Sequence, residues 1–461
     1  MNAADERSLQ RTALVVVCMG AFITPLMLSG VNVAIPTIVE GLQIDAITAS
    51  WIPLAYLLSS AVFLLPFGRM GDMYGRKRMF LSGMTTVTIA SILASFSQTP
   101  VELLLCRVLQ GVGAAMIFGT GIAILSSVYP PEKRGKVLGL SVSFVYLGLT
   151  VGPFAGGWVT HQFGWRSVFV FHVPVVILVI LIGLLKLKGE WRGPSGQKFD
   201  FPGSVIYGAA MIALMYGFSR LPASLGFVLV LLSAIGLIIF FRYEKKLEHP
   251  LFNVRLFSAN QVFFYSCMAA LIMYSSTFSI TFLMSLYLQN IKGFTPQFAG
   301  LIMISQPLMM TLFSPLAGRL SDRHEPRIIT SSGMGLTAAG LASLAMLSPQ
   351  TSTAYVVLAL VIIGLGFALF SSPNANAVVS SVEKRHLGAA AGTIATMRVV
   401  GQMFSMGIVT LVFALMLGQV QISPERHDQL LASINTSFVV TSLLCLAGIY
   451  LSLKRGNLRE S

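Results

Sequence analysis

Gly68-Arg69-Met70-Gly71-Asp72-Met73-Tyr74-Gly75-Arg76-Lys77-Arg78 is the stretch from which the rest of the chain can be read. It is a charged, glycine-bearing loop between two long apolar runs. A degraded copy, Gly318-Arg319-Leu320-Ser321-Asp322-Arg323-His324-Glu325-Pro326-Arg327, occupies the same setting far downstream. A polar loop that recurs between hydrophobic runs points to a repeated architecture in a membrane. Gly71 and Gly75 permit close approach and unusual backbone angles. Asp72 stands among Arg69, Arg76, Lys77 and Arg78, where charge-assisted hydrogen bonds at a helix end are available to it. Such a cluster can lock one part of a molecule to another and release it. Gly68, Arg69, Gly71, Asp72, Gly75 and Arg76, with Asp322 in the second copy, are therefore the expected gating residues.

Composition agrees. The chain of 461 residues is 55% hydrophobic and 10% charged, with a mean hydropathy of +0.79. Soluble domains carry about 25% charged residues. The apolar residues fall into fourteen runs, from 13–36 to 435–453. Each run is long enough to cross about 30 Å of hydrocarbon as a helix, and lipid leaves the helix as the way to satisfy each backbone amide locally. The runs 201–219 and 224–242 are separated only by Arg220-Leu221-Pro222-Ala223. The first run is too long for a signal-peptide core and is expected to be retained. Cys18, Cys106, Cys267 and Cys445 all fall within runs and read as small apolar residues rather than disulfide or metal partners.

An even number of spans puts both termini on one side, and the positive-inside bias makes that side cytoplasmic. With this assignment the external segments hold only Arg166, Arg220, Lys292 and Arg426, while Arg107 and Arg398 stay within the membrane. One missed helix would reverse the bias in every later loop. The net charge of +14 then lies against anionic lipid headgroups and is no sign of nucleic-acid binding. The expected fold is an all-α polytopic membrane protein of two six-helix bundles, residues 1–200 and 243–461. Two additional helices, residues 201–242, lie between them. Halves that repeat in parallel place a substrate site near the midplane between them.

Two motifs lie inside spans. Arg107, in Arg107-Val108-Leu109-Gln110-Gly111-Val112-Gly113, is a charge at membrane depth, which marks a functional candidate. Gly148, Gly152 and Gly156 form a small-residue face at four-residue spacing. Pro153 interrupts that helix's hydrogen bonding, and Gly157 follows. Gly148, Gly152, Pro153, Gly156 and Gly157 are expected to serve conformational change.

These motifs resemble those of the major facilitator superfamily. The loop at 68–78 is similar to that between its second and third helices, although Glu325 replaces the pattern's glycine in the second copy. The run at 107–113 resembles the fourth-helix motif, linked there to proton transfer or substrate contact. Gly148 to Gly157 resembles the fifth-helix antiporter signature. Val31-Asn32-Val33-Ala34-Ile35-Pro36, Trp165-Arg166-Ser167, Phe199-Asp200-Phe201-Pro202-Gly203 and Tyr287-Leu288-Gln289 extend the resemblance to the fourteen-helix drug:proton antiporters, over nearly the whole chain. Met27 stands where that family has an aspartate in its first helix, and His172 where it commonly has asparagine. Placing every Asp and Glu leaves none at mid-membrane.

The resemblance implies an inner-membrane exporter of hydrophobic or amphipathic small molecules, monomeric, working by alternating access and exchanging substrate for protons. The alternative is a lipid flippase or uncoupled facilitator, because the usual acid is missing. The expected cavity residues are Met27, Asn32, Arg107, Gln110, Met273, Tyr274, Gln306 and Asn374, with Met284, Met309 and Met310 as adaptable lining. Proton-coupling candidates are Arg107 and His172. With Arg107 unopposed, the cavity is expected to be neutral to positive. Arg398 sits near the start of its run, within reach of the cytoplasmic face. No cofactor or metal is implied. A lipid-modifying enzyme is disfavoured, since no His-Glu-x-x-His or Gly-x-Ser-x-Gly occurs, and no phosphate-binding Gly-x-x-x-x-Gly-Lys loop offers ATP drive.

Overall fold

The computed structural model describes residues 3–193, 199–248, 250–252, 254–321, 323–382 and 387–456. Asp322 lies outside them. Fourteen helical spans are present. They are α1 (Ala3–Leu42), α2 (Ala46–Tyr74), α3 (Arg76–Ser95), α4 (Pro100–Val128), α5 (Pro131–Phe163), α6 (Val173–Lys186), α7 (Phe201–Arg220) and α8 (Ser224–Glu244). They continue with α9 (Gln261–Ile291) and α10 (Pro296–Ser321), then α11 (Pro326–Leu344), α12 (Thr353–Ser380), α13 (Leu387–Met416) and α14 (His427–Lys454). Thirteen of them are long and apolar enough to cross a membrane, α6 when taken with the turn that precedes it from Trp165, and α11 is the exception among the described residues. No strand interrupts them among the described residues.

Local chemistry sets the helix ends. Asp45, Thr99, Asn260, Thr295 and Ser352 each accept a hydrogen bond from a first-turn amide, satisfying a donor with no partner within its own helix. Pro100, Pro296 and Pro326 open their helices, where a missing N–H costs nothing. Gly75 breaks α2 from α3 at φ +125°, a backbone that favours glycine.

The repeat is written in the packing. In the first half α1 packs on α5 and α6, α4 on α2 and α3, and α3 on α6. The second half repeats these pairings eight helices later: α9 on α13 and α14, α12 on α10 and α11, and α11 on α14. The halves meet through two equivalent crossings, α2 with α13 and α5 with α10, and through α1 with α9. Helices α7 and α8 pack on each other, and α7 also lies on α2 and α13. The extra pair thus flanks one crossing and does not wedge the halves apart. All four cysteines are free and buried. Below, the end carrying the N-terminus and loop 68–78 is the terminal end, and the opposite one is the distal end.

Candidate functional site

A cavity of about 1020 Å³, counting its open mouth, lies between the halves. Helix α1 contributes Thr24, Ser29 and Asn32, α2 contributes Tyr56 and Ser60, α4 Phe118, and α5 Tyr146 and Pro153. From the second half come Tyr274, Thr277 and Phe278 of α9, Gln306 and Met310 of α10, Phe367 of α12, and Arg398 and Gln402 of α13. Neutral polar groups set among aromatic walls are the build of a small-molecule site. Among the described residues no acidic side chain lines it.

Of the residues expected there, Asn32, Tyr274, Gln306 and Met310 line the cavity. Met27, Arg107, Gln110, Met273 and Asn374 do not; all five are buried in helix packing. Arg107 stands behind Tyr56, its guanidinium 4.7 Å from the ring centroid. Its Nε donates to the Ile52 carbonyl at 3.0 Å, and its Nη1 to Gln110 Oε1 at 2.7 Å. Gln110 Nε2 donates to Ser91 Oγ at 2.8 Å, and Ser91 Oγ lies 3.3 Å from His172 Nε2. A file of neutral side chains therefore joins the two proton-coupling candidates. Met27 touches it through Sδ, 3.7 Å from Ser91 Oγ. Asn374 is committed elsewhere: its Nδ2 donates to the Ser266 carbonyl, and its Oδ1 accepts from the buried Arg455.

The guanidinium that does face the cavity is Arg398, which corrects its expected reach toward the cytoplasmic face. It lies over the ring of Phe118, across the interface, at 5.0 Å. Helical depth was readable from the sequence. The direction of the side chain was not, because the stripe it shares with Gln402 and Ser405 does not say which neighbouring helices it faces.

Loop 68–78 is tied to its own half. Asp72 Oδ1 accepts from Arg76 Nε at 2.8 Å, and Arg76 Nη1 donates to Ser127 Oγ at 2.6 Å on α4. Glu190 accepts from the backbone amides of Lys77 (2.8 Å) and Arg78 (3.3 Å). The Arg76 amide donates to the Trp191 carbonyl, and the Gly193 amide to the Asp72 carbonyl. A β-carbon on Gly71 would stand 2.5 Å from Thr120 Cγ2, and one on Gly75 the same distance from the Glu190 carboxyl carbon. At Gly68 the nearest atom would be 3.6 Å away, ordinary contact. Two Arg69 nitrogens are buried without a hydrogen bond among the described residues. Glu190 was invisible in the sequence, where it reads as one charge in a polar connector.

The glycines of α5 divide between two surfaces. A β-carbon on Gly148 would fall 2.3 Å from the Phe22 carbonyl, on Gly152 1.9 Å from Ser29 Oγ, and on Gly156 2.5 Å from Gly30 Cα, all on α1. Gly157 faces the other half, 2.4 Å from the Pro296 carbonyl by the same measure. Gly300 of α10 answers it at 2.3 Å from the Pro153 carbonyl. The α5–α10 crossing is thus backbone on backbone.

The halves are sealed at the distal end. Asp45 and Gln421 form an antiparallel bridge. Ser50 Oγ lies 2.9 Å from Thr410 Oγ1. Gln289 Nε2 and Ser285 Oγ donate to the Val33 carbonyl at 2.8 and 3.2 Å. Nearer the terminal end, hydrogen bonds between the halves include Tyr146 with Ser371 and Thr150 with Thr311, both at mid-height.

Two repeated bundles around a shared cavity, closed at one end, define a polytopic membrane transporter. The Major Facilitator Superfamily profile matches residues 17–406, and the chain belongs to that superfamily. Its relatives include a riboflavin transporter, RibZ, of Clostridioides difficile, 28% identical over 95% of this chain and 96% of its own. The multidrug resistance protein Stp of Mycobacterium tuberculosis is also 28% identical, over 88% of this chain and 76% of its own. Among solved structures, a bacterial homologue of the lysosomal transporter Spinster aligns with a TM-score of 0.68 at 16% identity, over 97% of both chains. A POT family transporter aligns at 0.70 and 17%, over 94% of this chain and 95% of its own.

Proposed function

We propose that the protein exports amphipathic small molecules across the inner membrane by alternating access, in exchange for protons. Residues 1–200 and 243–461 are the rocking units of a monomer, and 201–242 the flanking pair. Both termini face the cytoplasm, so the structure is inward-facing. The observation that carries this reading is the cavity itself: aromatic walls with dispersed polar groups and no acidic side chain among the described residues, shared by two halves that are sealed at the distal end. Relatives named for multidrug resistance and for riboflavin transport support a substrate of this kind.

Proton coupling is assigned to the file Arg107–Gln110–Ser91–His172, whose His172 Nδ1 has no hydrogen-bond partner among the described residues. A second reading, an uncoupled facilitator or lipid flippase, draws support from the acid-free cavity wall, because embedded proton relays commonly use carboxylates. Flux of a fluorescent amphiphile in proteoliposomes separates the two. Exchange predicts that an imposed pH gradient accelerates flux several-fold and that His172→Leu removes the acceleration. Equal flux with and without the gradient would leave the facilitator. Movement of labelled phospholipid alone would leave the flippase.

A further inference from the structure

We propose that the central cavity is an organic-acid site, which takes aromatic compounds bearing one carboxylate-like charge, and that Arg398 selects them. The inference rests on the export reading and narrows its substrate class. Arg398 is the one charged side chain on the cavity wall among the described residues. It is half-buried and lies against the Phe118 ring, and among the described residues no carboxylate on the wall balances its charge. An unopposed cation in an apolar space lacks the counter-charge that would offset its lost hydration. A ligand carboxylate supplies that charge and fits the guanidinium fork with two parallel hydrogen bonds. A ligand cation meets repulsion that the low-dielectric wall strengthens.

A second observation is independent of charge. Asn32 is 1% exposed and lines the same cavity, yet neither its Nδ2 nor its Oδ1 has a hydrogen-bond partner among the described residues. Leaving a buried amide unmet costs about 1–3 kcal/mol. It therefore points to a ligand with a polar group of its own. Tyr56, Phe118, Tyr146, Tyr274, Phe278 and Phe367 provide the faces against which a flat ring packs. Arg107 cannot serve as the anchor, since it sits behind Tyr56 and two of its nitrogens are already engaged.

The test uses one ring with three charges: pyrene-1-carboxylate, 1-pyrenemethanol and 1-pyrenemethylammonium. Binding is titrated on the full chain in nanodiscs by fluorescence, and flux of the same probes is followed in proteoliposomes. The acid should bind about tenfold tighter than the alcohol, as a charged hydrogen-bond pair allows, and the ammonium more weakly than either. Arg398→Gln should bring the acid-to-alcohol ratio near one, and Arg398→Lys should restore part of it. An acid that binds no better than the alcohol, or an unchanged ratio in Arg398→Gln, overturns the proposal even if all three probes are transported. Acid binding that depends on Arg398 without flux would uphold the site and sink the export reading. Should Arg398→Gln fail to fold, the wild-type ranking together with Arg398→Lys decides.

Discussion

The two ends of the molecule use their polar groups in opposite ways. At the distal end, neutral groups join one half to the other: Ser50 to Thr410, Gln289 and Ser285 to the Val33 carbonyl, and the bridge at Asp45 and Gln421. At the terminal end, charged groups are tied within the first half: Asp72 to Arg76, and Glu190 to the start of α3. A neutral hydrogen bond contributes about 0.5–1.5 kcal/mol net, so the distal seal is firm without being permanent. The terminal loop keeps its charges on partners within the first half. On the proposed cycle the difference describes a two-sided gate. One side closes on short, weak, matched contacts, and the other is to close on charges that leave one set of partners for another.

The largest expected effect lies where the seal is backbone against backbone. Gly157→Leu places atoms where the Pro296 carbonyl now sits, and overpacking of this kind costs about 1–3 kcal/mol or more. It should prop the distal end open and abolish flux. Gly156→Leu should also abolish flux, for a different reason, because it strikes Gly30 inside the first half and damages folding. A Ser50→Cys reporter, probed with a membrane-impermeant thiol reagent from outside, separates them. Labelling should speed up in properly folded Gly157→Leu. If labelling stays as slow as in the parent, the crossing does not govern the seal.

The second effect tests the charged end. Asp72→Asn should lower flux about tenfold with near-normal amounts of folded protein, since a charge-assisted contact is worth about 1.5–3 kcal/mol. Glu190→Gln should act differently. It weakens the hold on the Lys77 and Arg78 amides and should lower the unfolding temperature more than the flux. The Glu190–Arg78 ion pair, at 3.7 Å with the arginine largely exposed, adds little to this. Wild-type flux in Asp72→Asn would remove the loop from the gating cycle and leave the contrast between the ends purely structural.

Much of this was legible in the sequence, and the limits have physical causes. The fourteen helices and their repeat could be read because lipid imposes a length and a charge rule on every span. The glycine face of α5 could be read because close packing demands its spacing. Which way an arginine points could not. Arg107 lies between Cys106 and Val108, and Arg398 between Met397 and Val399, and hydropathy treats the two alike. Only the packed structure puts one behind Tyr56 and the other on the cavity. The same blindness assigned Met27, Met273 and Asn374 to a wall they do not reach. Glu190 failed for the opposite reason, since a carboxylate in a polar connector carries no signal until its partner helix is in place. Asn32 succeeded because an asparagine amid Val31, Val33 and Ala34 has no apolar role to play.

The smallest effect gives the finest reading of the comparison. Gln289 donates to the Val33 carbonyl across the interface and to Ser285 within α9. Gln289→Leu removes the first bond without adding bulk, and Ser285 still reaches the same carbonyl. The loss to the distal-closed state should be about 1 kcal/mol, which shifts a two-state population about fivefold. Labelling of the Ser50→Cys reporter should therefore rise about fivefold, while flux changes less than about twofold. The flux is insensitive because carriage needs both states, and a modest tilt between them leaves each accessible. A labelling rate unchanged by Gln289→Leu would mean that this bond does not hold the seal. The Gln289 contact would then follow closure of the distal end and not cause it.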